Sequence, residues 1–139
     1  IHGKGVARDV SKGIQLDQKA CDGDDAVSCR FLGYQYESGD GVTRNAATAA
    51  QLYEQACDGE DAFGCTHLAT LYEKGRGVAQ NAIVAAQLYQ EGCDGDPSAC
   101  ADLAGRYKKG HGGTQNAATA AQLYQRACML GDKSKCGKK

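Results

Sequence analysis

The 139-residue chain has no tryptophan, one proline, one methionine and two phenylalanines. Leucine, isoleucine, valine and phenylalanine together supply only 20 residues, below the share of an ordinary packed domain. A single thick core of large aliphatic side chains is therefore not expected. An excess of one charge is also missing. The formal net charge is −1, which removes the usual electrostatic case for nucleic acid. No apolar run approaches the roughly 20 residues of a membrane helix, so membrane insertion is not expected. The sequence opens on Ile1 with neither methionine nor leader, as a mature product or an excised piece would, and this start says little about export.

What the chain does have is 22 alanines, 19 glycines, 8 cysteines and 7 tyrosines. That composition suits one domain with a thin core, in which backbones approach closely and Ala, Tyr and Cys fill the space. Internal repetition dominates. Cys21, Cys57, Cys93 and Cys128 recur at steps of 36, 36 and 35, and Cys29, Cys65, Cys100 and Cys136 at 36, 35 and 36. Asn45-Ala-Ala-Thr-Ala-Ala-Gln-Leu-Tyr53 returns at Asn81–Tyr89 and again at Asn116–Tyr124. Gly39-Asp-Gly-Val42 returns at Gly75–Val78 and less closely at Gly110–Gly113.

Each unit reads as two helices. The first spans about Asp25 to Ser38, with Ala26, Cys29, Leu32, Gly33 and Tyr36 on one stripe at helical spacing. Gly39 and Gly41 end it. The second starts at Asn45, a good N-cap, and runs to about Cys57. Its stripe is Ala46, Ala49, Ala50, Leu52, Tyr53 and Ala56, and an Asp-Gly turn leads into the next unit. The fold expected is all-α, an α-solenoid of stacked αα-hairpins of about 36 residues. The chain is one repeat domain with units at about 1–20, 21–56, 57–92, 93–127 and 128–139, the outer two partial. Gly3–Val6 aligns with Gly39–Val42, so the chain is expected to begin in a loop after a missing first helix. It is expected to end just inside another first helix, as part of a longer solenoid.

Each unit brings two cysteines across a short turn between antiparallel helices, a separation that suits a disulfide. The pairs expected are Cys21–Cys29, Cys57–Cys65, Cys93–Cys100 and Cys128–Cys136, each worth about 2–3 kcal/mol. Structural zinc needs closer spacings and four gathered ligands, and no Cys-x-x-Cys redox motif is present. No metal and no cofactor are expected. Four disulfides point to the periplasm or the cell exterior.

The pattern Ala26, Leu32-Gly33, Tyr36, Gly39-x-Gly41-Val42, Asn45, Ala49-Ala50, Tyr53, Ala56 resembles the Sel-like repeat, a relative of the tetratricopeptide repeat. The added cysteine pair resembles the secreted, Helicobacter-type cysteine-rich proteins of that family. Local departures are Asp17 in place of the repeated tyrosine, Gly92 in place of the helix alanine and Gly113 in place of the loop valine. The resemblance implies a right-handed superhelix that serves as a protein-interaction scaffold. It also implies, through some cysteine-rich members, penicillin binding or weak β-lactamase activity.

The residues give that second implication little support. None of Ser11, Ser28, Ser38, Ser98 or Ser134 begins a Ser-x-x-Lys motif, and Lys-Thr-Gly is absent. His2, His67 and His111 fall in different units, with His2 and His111 read as residues of glycine loops. The acidic turns at Asp22–Asp25, Asp58–Asp61 and Asp94–Asp96 lack the alternation of a calcium loop and are read as N-caps. The repeated tyrosines are read as core, and Tyr34 stands apart because it has no counterpart in the other units.

By analogy with related solenoids, stacked first helices line a concave face, and positions that vary between units are free to bind. Arg30, Tyr34 and Glu37 are the candidates in the first unit, with Val27 and Phe31 beside them. Phe63, Thr66, His67 and Thr70 follow in the second, and Asp102 and Arg106 in the third. Arg30 and Tyr34 lie one turn apart and are the expected anchors. The function expected is a secreted or periplasmic scaffold for a protein or peptide. The alternative is a β-lactam or peptidoglycan-fragment binder with weak hydrolase activity. The near-identical copies suit recent duplication or an engineered scaffold equally.

Overall fold

The computed structural model describes residues 2–109 and 117–136, and the side chains of residues 10–109 and 118–136. Short polar side chains start the helices and glycines end them. Asn45 accepts a hydrogen bond from the Thr48 N–H at 3.1 Å, and Asn81 accepts from the N–H groups of Ile83 and Val84, both at 3.1 Å. Each satisfies a helix donor that would otherwise have no partner. Asp25 does the same for Ser28 at 3.3 Å. Gly39 and Gly75 close the first helices with φ of +78° and +69°, their N–H groups donating to the carbonyls of Gln35 and Leu71.

Seven α-helices result among the described residues: α1 (His2–Asp22), α2 (Ala26–Ser38), α3 (Ala46–Asp58), α4 (Ala62–Lys74), α5 (Ala82–Gly92), α6 (Pro97–Lys109) and α7 (Ala117–Met129). A 3₁₀ turn at Lys133–Lys135 follows, where the start of a further first helix was expected. No strand occurs among the described residues. The first helices α2, α4 and α6 each pair with the second helix that follows and also pack on the second helix before. This two-sided packing is that of a helical solenoid.

One expectation is corrected. Gly3–Val6 is not a loop but part of α1, and His2 is the first residue of that helix. Gly39 and Gly41 turn left-handed because they must end α2.

The core is thin, as the composition requires. Its largest fully buried side chains are Tyr53, Leu32, Leu71 and Leu103, followed by cysteines. The remainder of the buried apolar set is mostly alanine. Small residues let the paired helices close on one another. A Cβ at Gly33 would stand 2.9 Å from the Tyr53 ring, and the alanines at the same repeat position, Ala69 and Ala104, are fully buried. Tyr53 and Tyr89 are buried, whereas Tyr36, Tyr72, Tyr107 and Tyr124 are half-buried against the clusters.

Four disulfides join Cys21–Cys29, Cys57–Cys65, Cys93–Cys100 and Cys128–Cys136, with Cα separations of 4.7, 4.5, 4.5 and 4.9 Å. Each of the first three fastens the end of a second helix to the first turn of the next first helix. The turns they close are tight. Asp24 and Glu60 both adopt φ of +69°, and the N–H groups of Asp25 and Asp61 return to the carbonyls of Ala20 and Ala56, each at 3.0 Å. In the shortened third step, Pro97 opens α6 and Asp96 accepts from the Ser98 N–H at 3.0 Å.

In the two described loops a second glycine seats the loop on the preceding unit. A Cβ on Gly77 would lie 2.4 Å from the Ala46 carbonyl group at the start of α3, and one on Gly41 would lie 2.4 Å from Val10 in α1. Gly77→Ala therefore combines a left-handed backbone with a clash against backbone, and it should cost about 2–4 kcal/mol in urea unfolding of the oxidised protein. At Gly75 the nearest atom to a Cβ is the Gln80 side chain at 3.0 Å, so Gly75→Ala should cost about 1–2 kcal/mol. Burial sets a second expectation, the order of reduction. Cys136 is exposed and Cys128 half-buried, whereas Cys21, Cys29, Cys93 and Cys100 are at most 1% exposed. Alkylation and mass spectrometry during a reductant titration should find Cys128–Cys136 opening first, Cys57–Cys65 next and the two buried bonds last.

Candidate interaction surface

The first helices carry the variable positions, and the structure commits several of them to contacts within the protein. Arg30 Nε donates to Asp61 Oδ2 at 2.6 Å, one unit along the chain. Its guanidinium lies 4.8 Å from the centre of the Phe31 ring and 5.2 Å from that of Phe63. Asp61 occupies the N-cap position of α4 but makes no capping hydrogen bond, because its side chain is turned to Arg30. Only 7% of the Asp61 side chain is exposed, so removing Arg30 would leave a carboxylate largely cut off from water. Arg30 is thus a tie between α2 and α4, and it holds two aromatic rings in place.

A tyrosine–glutamate pair recurs beneath this face. The Tyr53 hydroxyl donates to Glu37 Oε1 at 2.6 Å, and its ring stacks on His67 with centroids 4.9 Å apart. Burial, then the Glu37 hydrogen bond and charge, push the Tyr53 phenol well above its ordinary range. Burial holds His67 below its ordinary value. In the next unit the Tyr89 hydroxyl donates to Glu73 Oε1 at 2.9 Å and lies 3.2 Å from the Thr70 hydroxyl. Burial, with Glu73 adding to it, pushes Tyr89 up to about 12. Arg106 donates to Glu73 and lies over the Tyr89 ring at 5.1 Å. Burial, with the charges of Glu73 and Asp96, raises Asp102.

The candidate residues therefore separate into groups. Tyr34, Glu37 and His67 line one open cleft of about 410 Å³ together with Ser38, Arg44 and Arg76. Arg30, between the rings of Phe31 and Phe63, is not among the residues that line this cleft. Thr66 donates to the Ala62 carbonyl at 3.2 Å and packs toward Gly92, while Thr70 is taken up by Tyr89. Asp102 and Arg106 belong to the next unit. Arg106 is only 6% exposed and occupies the repeat position of the fully buried Leu71. His111 lies outside the described residues.

Arg44 and Arg76 are cleft residues that a survey of helices misses. Their counterparts are Gln80 and Gln115 for Arg44, and Asp40 and His111 for Arg76. Variation between units, applied to the loops, would have found both. The upper part of the face is apolar. Val27, Phe31 and Tyr34, at i, i+4 and i+7 of α2, are 44%, 50% and 55% exposed, and Phe63 beside them is 44% exposed.

A second cleft, of about 520 Å³, surrounds the Cys57–Cys65 bond and is lined by Asp58, Glu60, Glu91 and Asp94. Glu91 Oε2 stands 3.3 Å from Cys57 Sγ and 3.9 Å from Cys65 Sγ. Bonded to each other, these sulfurs are not the thiolates that a metal would take as ligands. The position of Glu91 has a structural use in other units. Gln55 reaches back to the Cys21 carbonyl at 3.2 Å, and Arg126 to Asp94 at 2.9 Å. No helix among the described residues is long and apolar enough to cross a membrane. Four disulfides suit an oxidising compartment outside the cytoplasm.

Comparison with known proteins agrees with this architecture. None of the curated proteins compared matches the chain. Among solved structures, a Sel1 repeat protein from Oxalobacter formigenes is 26% identical with a TM-score of 0.80, over 94% of this chain and 56% of that one. A protective antigen of uropathogenic Escherichia coli strains displaying an SLR fold is 26% identical with a TM-score of 0.84, over 91% of this chain and 27% of that one. Helicobacter pylori cysteine-rich protein B is 29% identical with a TM-score of 0.76, over 95% of this chain and 96% of that one. The chain thus spans about half the length of the first of these and about a quarter of the second. Repeat solenoids of this type generally serve protein interaction. The Sel1 repeat model matches residues 1–25, 26–61, 62–96 and 97–132, and the chain belongs to the Sel1 repeat family.

Proposed function

We propose that the protein is a periplasmic or secreted scaffold that binds a protein or peptide along its first helices, on the face shared by α2 and α4. We also read residues 1–139 as a single repeat domain. One observation carries the binding reading. The sequence has two phenylalanines, and both are about half exposed on this face, with Tyr34 and Val27 beside them. Burying such a ring would stabilise the fold by about 1.5–3 kcal/mol, and this core is short of large apolar groups. Displaying both rings instead suits a surface meant to be covered by a partner. The direct contact between α2 and α4 supports placing the inner curve of the solenoid on this side. Disulfides at each unit boundary hold the face rigid before binding, which lowers the entropy cost of association.

Capture from envelope and secreted fractions tests the face. Phe31→Ser with Tyr34→Ser should reduce retention of the captured partner about tenfold or more. Ile83→Ser, at a site 62% exposed on α5, should leave retention unchanged. Equal capture by all three proteins would show that this face is not the one used. The Tyr53–His67 stack generates a pH expectation. The unfolded chain takes up a proton at the ordinary value of 6.5, whereas folded His67 resists it. The stabilising difference is therefore complete above about 6.5 and is lost as pH falls through the lower folded value. His67→Phe keeps a ring against Tyr53 and removes that proton. Thermal melts between pH 7.5 and 5 should decline less for the variant than for the parent.

A further inference from the structure

The cleft at the C-terminal end of this face is cationic. Arg44 stands on the loop after α2 and makes no ion pair with any described residue, and Arg76 stands on the loop after α4. The one carboxylate in the lining is Glu37, whose Oε1 already accepts from Tyr53 at 2.6 Å and whose Oε2 is 3.6 Å from Arg76. Two guanidinium groups thus share a single carboxylate that is partly occupied. At the other end of the face the charge is balanced, because Arg30 is closed by Asp61 between the rings of Phe31 and Phe63. The surface is polarised along α2, apolar and neutral at Val27 and Phe31, and aromatic then cationic from Tyr34 to Arg44.

We infer that the face takes an extended peptide segment in which an Asp or Glu side chain, seated between Arg44 and Arg76, lies a few residues from an apolar side chain seated on Phe31 and Phe63. This rests on the interaction-scaffold reading and adds the chemistry of the partner. The spacing follows from the helix. From Val27 to Ser38 is roughly 16 Å at 1.5 Å per residue, and an extended chain covers that in about five residues. A carboxylate between two guanidiniums gains charge-assisted, directional hydrogen bonds, and a guanidinium is more weakly hydrated than an ammonium and so loses less solvation on pairing. An internal side chain is favoured over a chain terminus because the cleft is open and a peptide can continue past it.

The test uses the oxidised full chain and two pools of fluorescent, C-terminally amidated peptides of about ten residues. Both pools fix Phe or Leu at one position and vary the position three to five residues away, in either direction. One pool has Asp or Glu there and the other Asn or Gln. The acidic pool should bind about tenfold more tightly, and the advantage should shrink as salt rises from about 0.05 to 0.5 M. Arg44→Gln with Arg76→Gln should bring the acidic pool to the level of the amide pool and leave the amide pool unchanged. Both substitutions are at the surface, and unchanged circular dichroism with four intact disulfides verifies the fold. If both pools bind alike and both are lost with Phe31→Ser/Tyr34→Ser, the binding face stands and the acidic preference is wrong. If neither pool binds, both are wrong. Binding of acidic peptides that survives loss of the two arginines also overturns the inference.

Discussion

Everything in this molecule depends on how the end of one helix pair is fastened to the start of the next. The sequence cannot supply a deep core, so the solenoid is held at its unit boundaries. There a disulfide bridges the turn, and loop glycines press on the preceding unit, Gly77 on the α3 backbone and Gly41 on the Val10 and Ile14 side chains. Each bond closes a loop of seven or eight residues and contributes about 2–3 kcal/mol, as much as burying a large side chain. Alanine and glycine along the helix stripes then suffice, because the helices need only to approach closely. Side chains add a further row of ties, in which Gln55 and Arg126 each reach one unit back.

With the boundaries fastened, the first helices can carry side chains chosen for the surface. The tyrosine–glutamate pairs show how function and scaffold share residues. Glu37 orients Tyr53, Tyr53 supports His67, and His67 walls the cleft that Arg76 closes. In the next unit the same pair is met by Arg106, which fills a leucine position and donates to Glu73. One repeat pattern thus gives an open cleft beside one tyrosine–glutamate pair and, beside the next, an ion pair whose arginine is buried and whose glutamate stays partly in water. The difference lies in two residues, since His67 and Leu71 occupy the positions of Asp102 and Arg106.

Most of the fold was legible because the 36-residue period carries it. Stripe residues, caps, glycines and cysteines recur together, and each has a local meaning. Contacts between units were less legible. Arg30 reads as a free anchor on its own helix, yet its partner Asp61 lies 31 residues away and is brought near only by the stacking. Arg106 lies off the stripe read from the first unit, where Gln35 stands at its position, and only the buried Leu71 of the second unit marks that position as core. Arg44 and Arg76 lie in loops, where helical periodicity has nothing to say. Gly3–Val6 repeats the loop signal of Gly39–Val42, yet it lies inside α1.

The disulfide-closed turns bear on survival among proteases. A peptide bond cut at Asp24 or Glu60, the two left-handed residues at these turns, severs the backbone inside a covalent ring. The halves stay joined through sulfur, with the flanking helices still packed, and no fragment departs. A nick becomes a break only in the longer links within each hairpin, such as the stretch between Gly75 and Asn81. There Gly77 presses on α3 and Gln80 donates to the Glu73 carbonyl at 2.8 Å, so even that link is held against the body of the protein. Such a chain can be scarred many times outside the cytoplasm and still present one continuous surface.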